Sequence, residues 1–241
     1  MCDLNGKKAL VTGSSQGIGF AIAKLFAEHG AEVFVHGSDE ANCRRAAEGI
    51  PNAKPVAVDL LGSSCADELY EATGDIDILV LNASIQYKRK WDEFSLDEYD
   101  IQMNCNFKSS YLLIRKYAEG MKNKNWGRIV TIGSVNQYNQ HPELSLYGAS
   151  KVAQKKLSEN FAPILAPHGI TINNVAPGAI NTPRNEKVLN DSEFRNKLES
   201  AIPCGYIGEP DDITPAVLLL CSNEGRYITG AEIKIDGGMS L

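Results

Sequence analysis

Three residues with the chemistry of a proton-transfer site lie close together between positions 133 and 151. Ser134 ends an apolar run, Tyr147 follows thirteen residues later, and Lys151 comes four residues after the tyrosine. Residues four apart share one face of a helix, so an ammonium can lie beside a phenol there, and a neighbouring cation favours the anionic form of a tyrosine. Such a tyrosine can act as an acid–base group while the serine hydroxyl polarises the same substrate oxygen. The same spacing is common on solvated helix surfaces, so the surrounding elements must decide between the two interpretations.

Composition and charge argue against several classes of protein. The chain has 241 residues, a length that fits one large α/β domain or two small ones, and its 43% of hydrophobic residues can bury a substantial core. A net charge of −6 without a long basic run argues against nucleic acid as a partner. The six cysteines form no C-x-x-C pair and no metal-site spacing with the four histidines. We therefore expect a cytoplasmic protein with free thiols, no metal site and no membrane segment.

Short apolar runs alternate with helical patterns along the chain. The runs begin near Lys8, Val33, Lys54, Ile76, Gly127, Ile170 and Ala231. Because they lack strict in/out alternation, they predict a parallel sheet covered by helices on both faces. We expect one domain over residues 1–241, with an α/β three-layer, doubly wound Rossmann fold and a central parallel sheet of about seven strands. Ligands of such sheets bind at the carboxyl ends of the strands, where Gly13, Ser38, Asp59 and Asn82 fall.

The first strand runs into a glycine-rich turn. Residues 12–19 read T-G-S-S-Q-G-I-G, and helical periodicity follows them. Glycines permit positive φ and close backbone approach, and a helix N-terminus offers N–H groups to a pyrophosphate. The order strand, turn and helix therefore predicts a dinucleotide-binding site.

Together with these features, further motifs in this order resemble the short-chain dehydrogenase/reductase family over essentially the whole chain. Residues 12–19 match its T-G-x3-G-x-G turn, Asp59 its acid near the adenine, and residues 177–182 its P-G-x3-T segment beside the nicotinamide. Ser134 and the Y-G-A-S-K run at 147–151 match the catalytic serine and the Y-x3-K pair. Asn106 matches the family's helix asparagine better than Asn104 does, because the F-K-S-S-Y that follows Asn106 fits the family pattern.

The resemblance implies an NAD(P)(H)-dependent oxidoreductase that transfers a hydride between nicotinamide and a carbonyl or secondary alcohol. It assigns proton donation to Tyr147, stabilisation of the substrate oxygen to Ser134, and ribose binding with tuning of the tyrosine to Lys151. Asn106 keeps the lysine connected to solvent protons. The implied cofactor contacts are Gly13, Ser15, Gln16, Gly17, Ile18, Gly19, Ser38, Asp59, Leu60, Asn82, Tyr147, Lys151, Pro177, Gly178, Ile180 and Thr182.

Two places in the sequence bear on how the cofactor is held. The family's N-N-A-G stretch reads Leu81-Asn82-Ala83-Ser84 here, which puts a side chain where the backbone usually passes close to the cofactor. At the end of the second strand, Gly37 stands where NAD-preferring relatives carry an acid. Ser38 stands where NADP-preferring relatives carry Arg, Ser or Thr, so we favour NADP(H) over NAD(H). Asp39 lies close enough in sequence to approach the ribose and reverse this preference.

The substrate is expected to be a small carbonyl or alcohol. Residues 82–90, N-A-S-I-Q-Y-K-R-K, resemble a stretch of gluconate 5-dehydrogenases, which favours a sugar acid or polyol such as gluconate or keto-gluconate. The basic residues 88–90 suit a carboxylate or phosphate, or are simply a solvated loop. The polar run 137–141 also favours a hydroxylated substrate. The alternatives are a 3-oxoacyl-thioester reductase and a non-enzymatic redox sensor or scaffold.

Two segments and an assembly complete the expectations. Residues 135–145 should form one wall of the substrate pocket, and the polar segment 183–207 should close over the substrate. The family commonly forms tetramers through its two long helices and its C-terminal strand. We therefore expect a homotetramer, or a homodimer.

Overall fold

A computed structural model describes residues 2–241, and its strands form one seven-stranded sheet. The order in the sheet is β3-β2-β1-β4-β5-β6-β7, and every neighbouring pair is parallel. The strands are β1 (Lys8–Val11), β2 (Glu32–Gly37), β3 (Ala53–Ala57), β4 (Ile78–Leu81), β5 (Gly127–Ile132), β6 (Ile170–Pro177) and β7 (Glu232–Ile235). The predicted doubly wound fold with about seven parallel strands is confirmed.

Helices cover both faces of the sheet. They are α1 (Gly17–Glu28), α2 (Glu40–Glu48), α3 (Cys65–Thr73), α4 (Leu96–Met103), α5 (Ser109–Lys124), α6 (Ser145–Leu165), α7 (Glu186–Leu189), α8 (Ser192–Ala201) and α9 (Pro210–Cys221). A π-helical turn, Asn104–Lys108, joins α4 to α5, so the helical backbone is continuous from Leu96 to Lys124 but locally unwound. Within residues 2–241 no helix has the length and apolar character needed to cross a membrane.

The hydrophobic core is divided between the two faces of the sheet. Ala9 and Val11 of β1 pack on one face with α1, α2 and α9, whereas Leu10 packs on the other with α3, α5 and α6. Every residue of β4, β5 and β6 is buried. Burial on both faces explains why these strands read as continuous apolar runs rather than as alternating ones.

His36 links the ends of three strands at the carboxyl edge of the sheet. Its side chain is buried, and its Nδ1 accepts a hydrogen bond of 3.2 Å from the amide of Gly13. Nε2 therefore carries the proton and donates to the Val58 carbonyl at 3.0 Å. Burial lowers the pKa of His36 from 6.5 to about 4, so the ring is neutral at physiological pH. His36 thus fixes the turn after β1 to the end of β3.

We predict that protonation of His36 weakens the fold in mild acid. Because the pKa is about 4 in the folded chain and 6.5 in the unfolded chain, the unfolded chain takes up the proton first. The free energy of unfolding should therefore be insensitive to this group above about pH 6.5 and fall as the pH drops towards about 4. The full loss should be on the order of 3 kcal/mol.

Urea unfolding of wild type and His36→Gln across this pH range tests the prediction. The variant should show a flatter profile, since glutamine does not titrate. The control His168→Gln removes a half-buried histidine outside this bridge and should keep the wild-type profile. If the free energy of unfolding falls equally steeply with pH in the wild type and in His36→Gln, the role assigned to His36 is wrong.

Candidate functional site

A cavity of about 560 Å³ opens at the carboxyl ends of the strands. Gly19 and Asn106 do not line it, whereas all the other predicted site residues do. These are Gly13, Ser15, Gln16, Gly17, Ile18, Ser38, Asp59, Leu60, Asn82, Ser134, Tyr147, Lys151, Pro177, Gly178, Ile180 and Thr182. Motifs far apart in the sequence therefore meet around one space.

The glycine turn leaves backbone donors free for an anionic ligand. Gln16 is the N-cap of the twelve-residue α1 and its side chain makes no capping hydrogen bond, so the first-turn N–H groups remain available. Gly13 has φ +63°, and a Cβ there would lie 2.8 Å from Ala83 Cα. A Cβ on Gly19 would collide with the Gly13 carbonyl, so this glycine keeps the turn tight from behind. The residues present fit the diphosphate of a dinucleotide.

Asn82 holds this turn in place from the end of β4. Its Nδ2 donates to the carbonyls of Thr12 and Gly13, both at 2.9 Å. The Thr12 hydroxyl in turn accepts from the amides of Asn82 and Ala83 and donates to Val80. The asparagine that survives from the family motif therefore braces the turn, although Leu81 is buried in the core.

The end of β2 contributes Gly37 and Ser38 to the cavity wall, and neither residue carries a carboxylate. Ser38 and Asp59 line the cavity there. A Cβ at Gly37 would lie 3.0 Å from Cys43 Sγ, so an acidic side chain would crowd that position. Asp39 caps α2, because its carboxylate accepts from the Asn42 amide at 2.8 Å, and it does not line the cavity.

Ser134 presents its hydroxyl proton to the cavity. Its Oγ accepts from the backbone amide of Asn136 at 3.2 Å and from Asn136 Nδ2 at 3.3 Å. Its own backbone amide donates to Gln137 Oε1 at 3.0 Å. Among residues 2–241 no acceptor is recorded for the Ser134 hydroxyl proton, which leaves it for a substrate oxygen.

Lys151 lies fully buried on α6, behind Tyr147. Its Nζ is 5.8 Å from the centroid of the tyrosine ring and donates to the Ile132 carbonyl at 2.7 Å and to Gln154 Oε1 at 3.2 Å. Burial first, and the charge of Arg184 second, lower the pKa of Lys151 to about 7. The ammonium is thus close to the phenol, but its direct hydrogen bonds go to a strand end and to a glutamine that the motifs did not single out.

Asn106 stands in the π-helical turn and is fully buried, whereas its competitor Asn104 is only half-buried. Its side chain accepts from the Ile85 amide at 2.8 Å and donates to the Ile85 carbonyl and to Ser150 Oγ. It makes no direct side-chain bond to the lysine. The connection runs through other groups.

That connection is a chain of buried polar groups. The backbone carbonyl of Asn106 accepts from the Ser110 hydroxyl at 3.2 Å. The Ser110 hydroxyl oxygen accepts from Gln154 Nε2 at 2.8 Å, and Gln154 Oε1 accepts from Lys151 Nζ. Gln154 and Ser110 were not predicted. The i+3 spacing of Gln154 from Lys151 on one helix was the available sequence signal.

The predicted wall at 135–145 faces the cavity with only some of its residues. Val135, Asn136, His141 and Leu144 line the cavity, together with Gln86 from the opposite side. The polar side chains from 137 to 140 do not line it. The substrate side is therefore less polar than the sequence run 137–141 suggested.

Gln137 and Tyr138 turn instead towards the last strand and α6. Gln137 Nε2 donates to Glu232 Oε1 at 2.6 Å. Tyr138 packs under Lys234, whose Nζ lies 4.0 Å from the ring centroid, and accepts a hydrogen bond from Lys155. Of the two, Gln137 supports Ser134 from outside the cavity, through the hydrogen bond that it accepts from the Ser134 amide.

The basic residues 88–90 are paired and lie outside the cavity. Lys88 pairs with Glu143 at 3.1 Å, Arg89 with Glu98 at 2.7 Å and Lys90 with Glu93 at 3.4 Å. Of the two interpretations of this cluster, the structure favours the solvated loop. The arginine that does line the cavity is Arg184, which sequence reasoning missed, although it lies two residues after the predicted contact Thr182.

The segment 183–207 contributes residues to the cavity wall, and its closure over the substrate stays a prediction. It folds into α7 and α8, and Val188, Leu189, Phe194 and Leu198 line the space below. Val188 and Phe194 are also partly open to solvent. An apolar cover over polar reacting groups is suited to excluding water from the site.

Comparisons with known proteins agree with this geometry. A family model described as enoyl-(acyl carrier protein) reductase matches residues 13–240. 3beta-Hydroxysteroid dehydrogenase 1 of Eggerthella lenta is 34% identical over 99% of this chain and 95% of its own. The 3-oxoacyl-[acyl-carrier-protein] reductase of Rickettsia prowazekii is 34% identical over 100% of both chains.

Solved structures give the same picture. A protein from Agrobacterium tumefaciens assigned as a gluconate dehydrogenase superimposes with a TM-score of 0.94 at 30% identity, covering 99% of this chain and 97% of the other. A protein from Beutenbergia cavernae assigned as an NAD(P)-dependent gluconate 5-dehydrogenase, with NADP bound at low occupancy, gives 0.92 at 30% identity and 98% coverage of both chains.

We predict that the hydrogen bond from Lys151 to Gln154 limits how far burial lowers the pKa of Lys151. Gln154→Leu removes an acceptor that favours the charged amine, so the pKa should fall below about 7, whereas the carboxylate of Gln154→Glu should raise it. Carbon-13 NMR titration of the lysine ε-methylene measures both shifts. Ser110→Ala alters only the far end of the chain and should stay close to wild type. Shifts of the same sign in the two Gln154 variants would refute this role.

Proposed function

Because the chain belongs to the short-chain dehydrogenase/reductase family, we propose that it interconverts a secondary alcohol and a carbonyl in a sugar acid or polyol, with NADP(H) as cofactor. The chain is a family oxidoreductase; the cofactor preference and the substrate are the proposal. The observation that carries it is one cavity holding a free serine proton donor, Tyr147, a buried lysine and an uncapped helix N-terminus.

In the reducing direction two hydroxyls act on the substrate oxygen. The Ser134 hydroxyl donates to it, because both hydrogen bonds at its Oγ already use the oxygen as acceptor. The Tyr147 hydroxyl gives its proton to the same oxygen. When bound, the nicotinamide supplies the hydride. Lys151 places a positive charge behind the phenol, and the chain through Gln154 and Ser110 keeps the amine oriented.

Cofactor binding is proposed for the residues predicted from the sequence. The turn from Gly13 to Ile18 takes the diphosphate, and Thr182 lies opposite it, with its Cγ2 3.5 Å from the Cβ position of Gly17. Three features favour NADP(H). Position 37 is a glycine and carries no carboxylate, the Asp39 carboxylate is engaged as a helix cap, and Ser38 is free to donate to a 2′-phosphate. The NADP-containing relative supports this choice.

A sugar acid or polyol is the preferred substrate class. Asn136, His141 and Gln86 give the substrate side hydrogen-bonding groups for hydroxyls. Two structural relatives assigned to gluconate oxidation point the same way.

The second candidate is reduction of a 3-oxoacyl thioester. It is favoured by the apolar lining of the lid and by the relatives that are 3-oxoacyl-[acyl-carrier-protein] reductases. A cofactor-dependent absorbance assay with sugar acids, polyols and acetoacetyl thioesters separates the candidates. A redox sensor without turnover is disfavoured, since all four implied catalytic residues are present.

We also propose one domain over residues 1–241, a homotetrameric assembly and a cytoplasmic location. The tetramer is supported by exposed apolar residues on α5 and α6, namely Tyr111, Val152 and Ile164. The cytoplasmic location is supported by six cysteines that form no disulfide. Light scattering of the purified chain tests the assembly.

Tyr147→Phe should abolish turnover and leave cofactor binding largely intact. The change removes the proton donor but keeps the ring that packs in the site, so we expect a loss of at least about a hundredfold in kcat. Steady-state kinetics and cofactor fluorescence measure the two quantities. Tyr138→Phe, which removes a hydroxyl outside the cavity, should retain most activity. Near wild-type turnover in Tyr147→Phe would exclude the proposed chemistry.

Ser38→Asp should move the preference from NADPH towards NADH. A carboxylate at the end of β2 hydrogen-bonds a ribose 2′-hydroxyl and repels a 2′-phosphate. We expect wild type to show the higher kcat/KM with NADPH and the variant with NADH. A wild type that prefers NADH would overturn the cofactor assignment. Ser64→Asp, at the N-cap of α3 and away from the cavity, should leave the ratio unchanged.

A further inference from the structure

Arg184 bridges the mouth of the cavity to the end of β4. Its Nη2 donates to the Ser84 carbonyl at 2.7 Å and its Nη1 to the Ser84 hydroxyl at 3.1 Å. The two residues are 100 positions apart, and both line the cavity. Ser84 replaces the glycine of the family motif. Its hydroxyl makes a hydrogen bond with Arg184 that a glycine could not make.

The guanidinium of Arg184 has only neutral partners. Unlike Lys88, Arg89 and Lys90, it forms no ion pair with any carboxylate in residues 2–241. Its charge nevertheless acts on the reacting groups, since it contributes to lowering the pKa of Lys151. The positive charge is therefore close to the site and uncompensated.

Charge is unevenly distributed around the cavity. Among the described residues that line it, Asp59 is the single carboxylate, and it stands after β3. Arg184 and Lys151 both lie on the side of β4, β5 and β6. Two strands, β2 and β1, lie between β3, after which the acid stands, and β4 in the sheet order. The substrate side therefore favours a ligand that brings a negative charge.

We propose that Arg184 and Ser84 form a carboxylate-binding subsite that selects an anionic substrate. The proposal rests on the proposed function and names the group by which a sugar acid is recognised. A guanidinium presents parallel donors that match the two oxygens of a carboxylate, and such charged pairs are stronger than bonds to neutral acceptors. A carboxylate would thus replace Ser84 as the partner of Arg184. The Ser84 hydroxyl, which now accepts from Arg184, has its own proton left for the same carboxylate.

The diphosphate of the cofactor is a second source of negative charge in this cavity. An arginine serving the diphosphate would affect cofactor affinity with every substrate. An arginine serving a substrate carboxylate affects only substrates that carry one. The two roles are separated by comparing a sugar acid with a neutral polyol of the same chain length.

The decisive variant is Arg184→Gln, compared with Arg184→Lys and with the control Lys187→Gln. Lys187 is exposed, lies in the same segment and does not line the cavity. For gluconate we expect Arg184→Gln to raise KM on the order of ten- to a hundredfold. For the KM of sorbitol, and for the Kd of NADPH, we expect changes of less than about twofold. Any change in kcat that follows from the loss of the Arg184 charge near Lys151 should be the same for both substrates. Arg184→Lys should give an intermediate KM for gluconate, and Ser84→Gly should raise that KM by a smaller factor than Arg184→Gln does.

A weakened NADPH complex with equal losses on gluconate and sorbitol would overturn the proposal, as would an unchanged gluconate KM. Calorimetric titration of gluconate into the NADP-loaded protein tests the subsite without turnover. Binding that is lost in Arg184→Gln but kept in Lys187→Gln supports the subsite even if no oxidation is seen, in which case only the proposed function fails. No gluconate binding by the wild type overturns the subsite itself.

Discussion

The constraint on which the site depends is the burial of one amine. Lys151 is 1% exposed and keeps only the Ile132 carbonyl and Gln154 as direct partners. Removing an ammonium from water is unfavourable, and a pKa of about 7 records that penalty. The two-sided core around β4, β5 and β6 must offset it. The packing of the sheet thus holds the Lys151 amine out of water and in a fixed position beside the phenol of Tyr147.

Helix α6 answers this constraint with a polar stripe on its buried face. Tyr147, Ser150, Lys151, Gln154 and Ser158 recur at helical spacing and are all buried. Each of the last four has a partner on a neighbouring element: Ser150 bonds with Asn106, Lys151 with the Ile132 carbonyl, Gln154 with Ser110, and Ser158 with Thr131. The rotation of the helix about its axis is therefore set by directional bonds, which apolar packing alone would leave less well defined.

Much of this arrangement follows from the sequence, and the reasons for the rest are physical. The parallel sheet and the strand-end positions of Gly13, Ser38 and Asn82 were predictable, because apolar runs and glycine turns are local patterns. The lysine–glutamine contact and the Arg184–Ser84 bridge were not. They join residues by side-chain direction, and in the second case across 100 positions, which no local pattern records.

The polar run 137–141 is a second case in which the sequence pattern did not predict where side chains point. Its composition favoured a hydrophilic pocket wall, yet Gln137 donates to Glu232 and Tyr138 packs under Lys234. A short 3₁₀ turn, Val135–Gln137, rotates these side chains away from the cavity. Polarity along a loop identifies groups that need partners, and only the fold decides whether the partner is a ligand or the protein.

Backbone hydrogen bonds fix both ends of the segment 183–207, which we predict to act as a lid. Before it, Asn181 donates its amide to the Gly208 carbonyl at 2.8 Å, and Gly208 donates to the Ala179 carbonyl at 3.0 Å. These two bonds pin together the ends of the segment 183–207, next to the nicotinamide-side residues 177–182. For a segment with both ends fixed, we expect any opening to be a rotation about those ends, which lie beside residues 177–182. Arg184 lies close to the first of these ends, so we expect it to move less than α7 and α8.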